Sequence, residues 1–221
     1  MKKLKKLHLG CGEIHLEGYL NIDFPPSSHP VQTLSGADYF QDITTLTFPK
    51  ESIQEIRLHH VFEHFSRPVA AALISSWWSW LVVDGILHIE VPDFYKCALI
   101  IVNPFSAERA KMKALRHIFG SHEAPWAHHL EGWTKQIITR LLSLFGYTVL
   151  DVRRNSYKGI PNIDVFAKKR DLCLSKSDFL SLGLRFLRQY TVDDTPTEKK
   201  ILRTWMKKYS ETLDKCWGTG E

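Results

Sequence analysis

The sequence predicts an α/β protein with a doubly wound, mixed seven-stranded sheet, helices on both faces, and a helical C-terminal extension. Short β-type runs alternate with helical runs over the first two thirds of the 221 residues, which favours parallel strands joined by crossover helices. Two β-type runs then follow one another near residues 147–167, which predicts an antiparallel edge strand. The pattern changes after Lys169, so we divide the chain into a sheet domain, residues 1–169, and the extension, residues 170–221.

Glycine, proline or aspartate bounds most of the predicted strands, as expected for residues that end regular structure. The fifth strand, for example, follows the Asp84-Gly85 turn and stops at Pro92. The seven predicted strands cover residues 5–9, 19–22, 39–40, 53–61, 86–91, 147–152 and 163–167.

Helices are predicted over residues 68–82, 133–145 and 177–190. Gly146 follows the second of them and fits a C-terminal cap. The segment from Thr195 to Glu198 reads as a capping box with proline at the first helical position, and an amphipathic helix follows it. Its apolar stripe could pack on the core, cover the site or meet a second subunit, so a homodimer through the C-terminal helices is left open.

The composition is that of an ordinary globular protein, with 44% hydrophobic and 24% charged residues and a formal net charge of +5. The four cysteines are far apart and form no CxxC pair, which suits a reducing compartment. The N-terminal apolar run is too short for a signal peptide, and we expect a cytoplasmic protein without a membrane span. The positive charge permits a nucleic-acid partner, but the sequence lacks the basic and aromatic pattern that would favour one.

The first strand ends in a glycine turn that could hold a ligand. Gly10 and Gly12 permit backbone conformations that are closed to other residues, and they allow a ligand to approach the main chain. Asp23 follows at the end of the second strand, where an acidic residue can hydrogen-bond ribose hydroxyls. The interval is shorter than the ~20 residues of a dinucleotide fingerprint, so NAD binding is disfavoured.

The segment 59–65, HHVFEHF, contains His60-x-x-Glu63-His64, which is the ligand order of one class of zinc peptidase. That chemistry needs both histidines on one face of a helix. The preceding run is β-type and Pro68 follows soon after His64, so a long helix hardly fits. A zinc-dependent hydrolase is the alternative, while the doubly wound sheet places this loop beside a ligand and predicts no metal.

Three further blocks of the sequence read LHLGCGEIHLEGYLNIDF (7–24), LHHVFEHF (58–65) and DGILHIEVPDF (84–94). Together they resemble the class I S-adenosylmethionine (SAM)-dependent methyltransferases, and more narrowly a bacterial, methyltransferase type 11-like subgroup. Residues 127–152, followed by IDVFAKK, are similar to the closing part of the subgroup. The resemblance covers roughly residues 5–169. It implies a Rossmann-like sheet, SAM as cofactor and S-adenosylhomocysteine as product.

The resemblance also implies which residues contact the cofactor. The glycine turn would lie against the methionine part of SAM, and Asp23 would hold the ribose. Phe24 would lie beside the adenine, and Asp42 and Ile43, after the third strand, would contact the adenine as well. His59 and His60, at the end of the fourth strand, would face the methyl donor. The implied cofactor residues are Gly10, Cys11, Gly12, Asp23, Phe24, Asp42, Ile43, His59 and His60.

A base is needed if the methyl acceptor is a hydroxyl or an amine. His60, Glu63 and His64 are candidates by location. His129 is a further candidate, because in the resembling subgroup a histidine near this point often precedes GWT or its equivalent. The subgroup suggests a small molecule or a sugar or glycan precursor as acceptor, with nucleic acid as the next possibility. A SAM-binding module that performs no chemistry is a further alternative.

Overall fold

The computed structural model describes residues 5–32 and 34–219. The strands are β1 (Lys5–Leu9), β2 (Leu20–Asp23), β3 (Tyr39–Phe40), β4 (Ile53–His59), β5 (Leu81–Pro92), β6 (Tyr147–Tyr157) and β7 (Ile160–Lys169). The helices are α1 (Arg67–Trp80), α2 (Phe94–Val102), α3 (Glu108–Phe119), α4 (Lys135–Leu144), α5 (Lys176–Leu187) and α6 (Pro196–Cys216). Helices α2 and α3 occupy a region for which the sequence pattern predicted no helix.

The seven strands form one sheet in the order β3-β2-β1-β4-β5-β7-β6. Strands β1 to β5 pair in parallel, while β7 runs antiparallel to both β5 and β6. The predicted mixed, seven-stranded sheet is confirmed, although the antiparallel strand lies next to the edge strand, β6. Chain order reverses between β1 and β4, and ligands of open α/β sheets bind at such a switch point.

A two-residue turn joins β6 to β7. Lys158 and Gly159 both have positive φ, 50° and 83°, as the turn of a tight hairpin requires. The predicted loop was longer and included Pro161, which lies within β7 and pairs with Ser156 of β6.

One face of the sheet forms the hydrophobic core. Alternate residues of β1, β4 and β5 point to this face, as the period of a strand dictates, and they are fully buried. Helices α1, α4, α5 and α6 pack over them in one continuous cluster. The buried strand residues include Leu7, Leu9, Ile56, Leu58, Leu87 and Ile89.

The opposite face of the sheet is polar. The register aligns His8 of β1 with Arg57 of β4, and Arg57 with His88 of β5. Helices α2 and α3 contact this face at the beginning of β7, where the His117 ring meets the Asn162 amide oxygen at 2.7 Å. Residues 10–19, all of them described, join β1 to β2 through turns without a helix. Helices therefore lie on both faces, as predicted, but four of the described helices pack on the core face and only α2 and α3 contact the polar face.

The C-terminal helices are part of the main core. Tyr209 of α6 is fully buried, and its hydroxyl donates to the Phe179 carbonyl oxygen at 2.7 Å and lies 2.8 Å from Ser75 Oγ of α1. Residues 170–219 thus share the core of the sheet domain. The apolar stripe of α6 is used within one chain, so the homodimer remains an untested prediction.

The start of α6 differs from the predicted capping box. The Thr195 hydroxyl accepts from the Glu198 amide as expected, but the Glu198 carboxylate accepts from the Val192 amide instead of returning to Thr195. A complete capping box occurs at α5, between Ser175 and Asp178. Among the described helices, none is both long enough and apolar enough to cross a membrane.

Candidate cofactor and active site

A cavity of about 630 Å³ lies at the carboxyl ends of β1, β2 and β4, at the switch point of the sheet. Its size is typical of a small-molecule site. It is lined by many of the predicted residues: Gly10, Cys11, Gly12, Asp23, Phe24, Asp42, Ile43, His59, His60 and His64. Glu63 and His129, predicted as catalytic, are not among its lining residues.

The glycine turn fixes the floor of this cavity. Gly10 has a φ of 67°, and its amide donates to the Ile22 carbonyl oxygen at 2.8 Å, which ties the turn to β2. A Cβ on Gly10 would lie 2.3 Å from Val61 Cγ2, so a side chain there would have to displace Val61. Gly12 has a φ of 58°, and a Cβ on it would meet nothing within 4 Å. The main chain at Gly12 is therefore open to a ligand.

Asp23 stands beside this turn at the end of β2. Its Oδ2 accepts from the Gly12 amide at 2.5 Å, and its Oδ1 accepts from the Phe24 amide at 2.6 Å. Each carboxylate oxygen has a second lone pair, so Asp23 can also accept hydrogen bonds from ribose hydroxyls. Asp23 is only 7% exposed, and these two hydrogen bonds hold its carboxylate in place before a ligand arrives.

Aromatic side chains and a short turn enclose the end of the cavity beyond Asp23. Asp42 caps the turn Ile43–Thr45, and its Oδ1 accepts from the Thr44 amide and hydroxyl, both at 2.8 Å. The rings of Phe24 and Trp126 lie 6.4 Å apart, and the Trp126 indole donates to the Ser28 carbonyl oxygen at 2.8 Å. Sequence reasoning missed Trp126, because it lies 98 residues beyond Ser28 in the chain and comes to the cavity only in the folded protein.

His59 faces the cavity and pairs with a buried carboxylate. Its Nε2 lies 2.6 Å from Glu90 Oε2, and Glu90 is 4% exposed. Asn155 and Asn162 also donate to Glu90, at 2.6 and 2.9 Å. Burial would raise the pKa of Glu90, but the hydrogen bonds from His59, His60 and Asn155 outweigh it and hold the pKa well below its usual range. Glu90 was not predicted, although a charged residue inside the apolar run ILHIEV could have indicated it.

His60 lies between two carboxylates. It has a φ of 53°, its Nδ1 is 3.3 Å from Glu63 Oε1, and its Nε2 is 3.3 Å from Glu90 Oε1. Burial alone would lower the pKa of His60, but the hydrogen bonds and charges of Glu63 and Glu90 outweigh it and raise the pKa to about 9. His60 is therefore an imidazolium at neutral pH.

Glu63 and His129 lie behind the cavity rather than in it. Glu63 is 1% exposed, and its carbonyl oxygen accepts from the Leu130 amide at 2.8 Å, which ties this loop to the segment before α4. Burial would raise the pKa of Glu63, but the hydrogen bond from His60 outweighs it and lowers the pKa. Burial lowers the pKa of His129 to about 4. These positions suit supporting groups better than groups that touch an acceptor.

The helical pair of histidines that the zinc alternative requires is not formed. Phe62–His64 is a single 3₁₀ turn, so His60 and His64 do not share the face of an α-helix. Glu63, His64 and His129 instead have donor atoms within 4.8 Å of one another. His129 Nε2 and Glu63 Oε1 lie 3.9 Å apart, so this cluster, rather than a helical pair of histidines, is where the zinc alternative would hold an ion.

Neither a protein-family model nor a curated protein matches the chain. Its fold is similar to that of a SAM-dependent methyltransferase from Methanosarcina mazei, at 12% identity and a TM-score of 0.52, over 77% of this chain and 94% of that one. It is also similar to a structure of the Haloferax volcanii Trm112 methyltransferase activator in complex with a methyltransferase, at 10% identity and a TM-score of 0.53, over 78% of this chain and 86% of that one.

These likenesses define the class of fold. The chain has the fold of the class I SAM-dependent methyltransferases, as the sequence blocks predicted. At such identities the likeness shows the fold alone, so the activity must be argued from the site. The narrower type 11-like subgroup stays a prediction.

Proposed function

We propose that the protein is a SAM-dependent methyltransferase. The observation that carries this proposal is the cavity at the switch point, where the open main chain at Gly12 and the buried carboxylate of Asp23 lie together. A carboxylate at the end of the second strand can hydrogen-bond the ribose hydroxyls of the cofactor. A turn with glycines lets the methionine part of the cofactor approach the main chain closely. One cavity supplies both.

The residues present fit each part of the cofactor. The Gly10–Gly12 turn would hold the methionine part and Asp23 the ribose, while Phe24, Asp42 and Ile43 would surround the adenine. Bound SAM supplies a methyl group that its sulfonium has already activated. The protein is left to position an acceptor, exclude water and take up the acceptor's proton.

His59 is the best placed of the described residues to take that proton. It lines the cavity and is hydrogen-bonded to Glu90, whose negative charge stabilises the imidazolium that would form. His60 lines the cavity too, but Glu63 and Glu90 keep it protonated at neutral pH, so it suits the stabilisation of negative charge on the acceptor. The predicted catalytic roles of Glu63 and His129 become supporting roles, with Glu63 orienting His60.

The lining of the cavity supports a proposal for the acceptor class. Polar groups from His64, Tyr157, Glu123 and His128 line it beside the histidines, which suits a small molecule or sugar precursor that carries a hydroxyl. Nucleic acid is less favoured, because the cavity of about 630 Å³ has the size of a small-molecule site. We expect the reaction in the cytoplasm, since the four cysteines are free thiols.

Isothermal titration calorimetry with S-adenosylhomocysteine tests the cofactor assignment. The wild-type protein should bind it without added metal, and Asp23→Asn should weaken binding about 10-fold or more, since hydrogen bonds to a charged group contribute roughly 1.5–3 kcal/mol. Asp151→Asn, at an exposed aspartate that pairs with Arg153, is the matched control and should bind like wild type. A wild-type protein that shows no binding would refute the proposal.

A second measurement separates this proposal from its alternatives. Stoichiometric zinc in the purified protein would favour a hydrolase that uses the cluster of Glu63, His64 and His129. Binding of S-adenosylhomocysteine without turnover of any hydroxyl in an acceptor library would favour the non-catalytic binding module.

A further inference from the structure

Arg57 is a cation in the cavity that the assignments above leave without a role. It is the one lysine or arginine among the described residues that line the cavity. None of the ion pairs between described residues includes it, and its Nε is buried without a hydrogen-bond partner. A buried, unpaired donor on a charged side chain costs free energy, so its presence beside a cavity indicates a ligand that pairs with it.

The neighbours of Arg57 on β1 do not supply a competing cation, and the His60 imidazolium in the same cavity is already paired with Glu63 and Glu90. Lys6 is paired with Glu55 at 3.1 Å. His8 adjoins Arg57 across the β1–β4 pairing, and burial lowers its pKa, so it is neutral. Arginine keeps its charge at any accessible pH. Arg57 is therefore the fixed positive charge next to the strand that leads into the glycine turn.

The architecture gives this charge a particular ligand. Anions at glycine turns of α/β proteins are commonly held by the N-terminus of the helix that follows. Here the turn is followed by residues 10–19, which the structure describes without a helix. That helix is missing, so a carboxylate bound near Gly10–Gly12 has to be neutralised from the polar face of the sheet. Arg57 occupies that position.

We propose that Arg57 binds the α-carboxylate of the methionine part of SAM. The inference rests on the proposed function and adds a cofactor-binding residue from the interior of β4. The guanidinium presents paired N–H donors that match the two carboxylate oxygens, which makes such contacts strong and directional. The site consequently selects adenosyl ligands that carry an amino-acid carboxylate over those that lack it.

Two ligands separate this role from a structural one. S-Adenosylhomocysteine carries the carboxylate, whereas 5′-methylthioadenosine has the same adenosine and thioether without the amino-acid group. In calorimetry, Arg57→Met should weaken binding of S-adenosylhomocysteine about 10- to 100-fold, the range expected for a hydrogen-bonded charge pair. Its affinity for 5′-methylthioadenosine should equal that of wild type.

The controls fix the interpretation. Lys6→Met removes the same charge from the same sheet face outside the cavity and should leave both affinities unchanged. Arg57→Lys keeps the positive charge without the paired N–H donors and should bind S-adenosylhomocysteine with an affinity between those of wild type and Arg57→Met. If Arg57→Met does not fold, Arg57→Lys replaces it in the comparison of the two ligands. The inference is overturned if a folded variant loses affinity equally for both ligands, or loses affinity for neither. A wild-type protein that binds neither ligand refutes the proposed function itself.

Discussion

Raising the pH should destabilise the protein through His60. Its folded-state pKa is about 9, because Glu63 and Glu90 hold the proton, while an unfolded histidine titrates near 6.5. Below pH 6.5 both states carry the proton, and the contribution to stability is fully present. Above pH 6.5 only the folded state keeps it, so the contribution is lost as the pH rises through about 9.

The magnitude follows from the two pKa values. Their difference corresponds to about 3 kcal/mol of unfolding free energy, lost at about 1.4 kcal/mol per pH unit across this window. The His60 side chain is 29% exposed, so solvent screens the pair only in part and we take 3 kcal/mol as the upper value. A loss of that size is a large fraction of the stability of a typical domain.

Urea unfolding followed by tryptophan fluorescence at pH 6.5, 7.5, 8.5 and 9.5 measures this loss. His60→Gln removes the titrating group, so the wild type should exceed the variant in stability most at pH 6.5, and the gap should close towards pH 9.5. Comparing the two proteins cancels the contribution of the buried thiols, which titrate equally in both. His128→Gln, at an exposed histidine, should keep the wild-type pH dependence. Parallel pH profiles for wild type and His60→Gln would refute the reasoning.

Two further predictions concern glycines. Gly12→Ala should destabilise the protein by roughly 1–2 kcal/mol, the strain of an alanine in the left-handed region. Gly10→Ala should destabilise it by more, because its Cβ would also lie 2.3 Å from a valine methyl. Urea unfolding of both variants measures the two losses, and equal losses would contradict the prediction. Gly183→Ala should lower the free energy of unfolding by roughly 1–3 kcal/mol, because its Cβ would lie 2.6 Å from the buried Tyr209 ring. Ser181→Ala on the same helix is the control and should leave the stability nearly unchanged. If urea unfolds the two variants alike, α6 is not packed as described.

The glycine turn and the carboxylate beside it could be predicted from local pattern. Strand endings are marked by glycine or aspartate, and the carboxyl ends of neighbouring parallel strands meet at one edge of a sheet. The placement of Gly12 beside Asp23 follows from that rule alone, and the structure joins them by a 2.5 Å hydrogen bond. The mixed, seven-stranded sheet was predictable from the alternation of β-type and helical runs, whereas the order of its strands comes from the structure.

The arrangement of the histidines in the cavity depends on register and on loops far apart in the chain. Whether Glu90 meets His59 is set by the pairing of β4 with β5, and Asn162 joins them only through the antiparallel β7. The HxxEH spacing brings Glu63 close to the cavity but cannot show that its side chain turns behind His60.

The sequence by itself therefore determined the order of the strands along the chain, the glycine turn and the carboxylate beside it, because these depend on contacts between near neighbours and on the direction of parallel strands. Only the tertiary structure decided which histidines face the cavity, that α6 completes the core, and that Arg57 lies unpaired beside the glycine turn. Those features arise from side chains brought together over tens of residues, and no local periodicity encodes which of them meet.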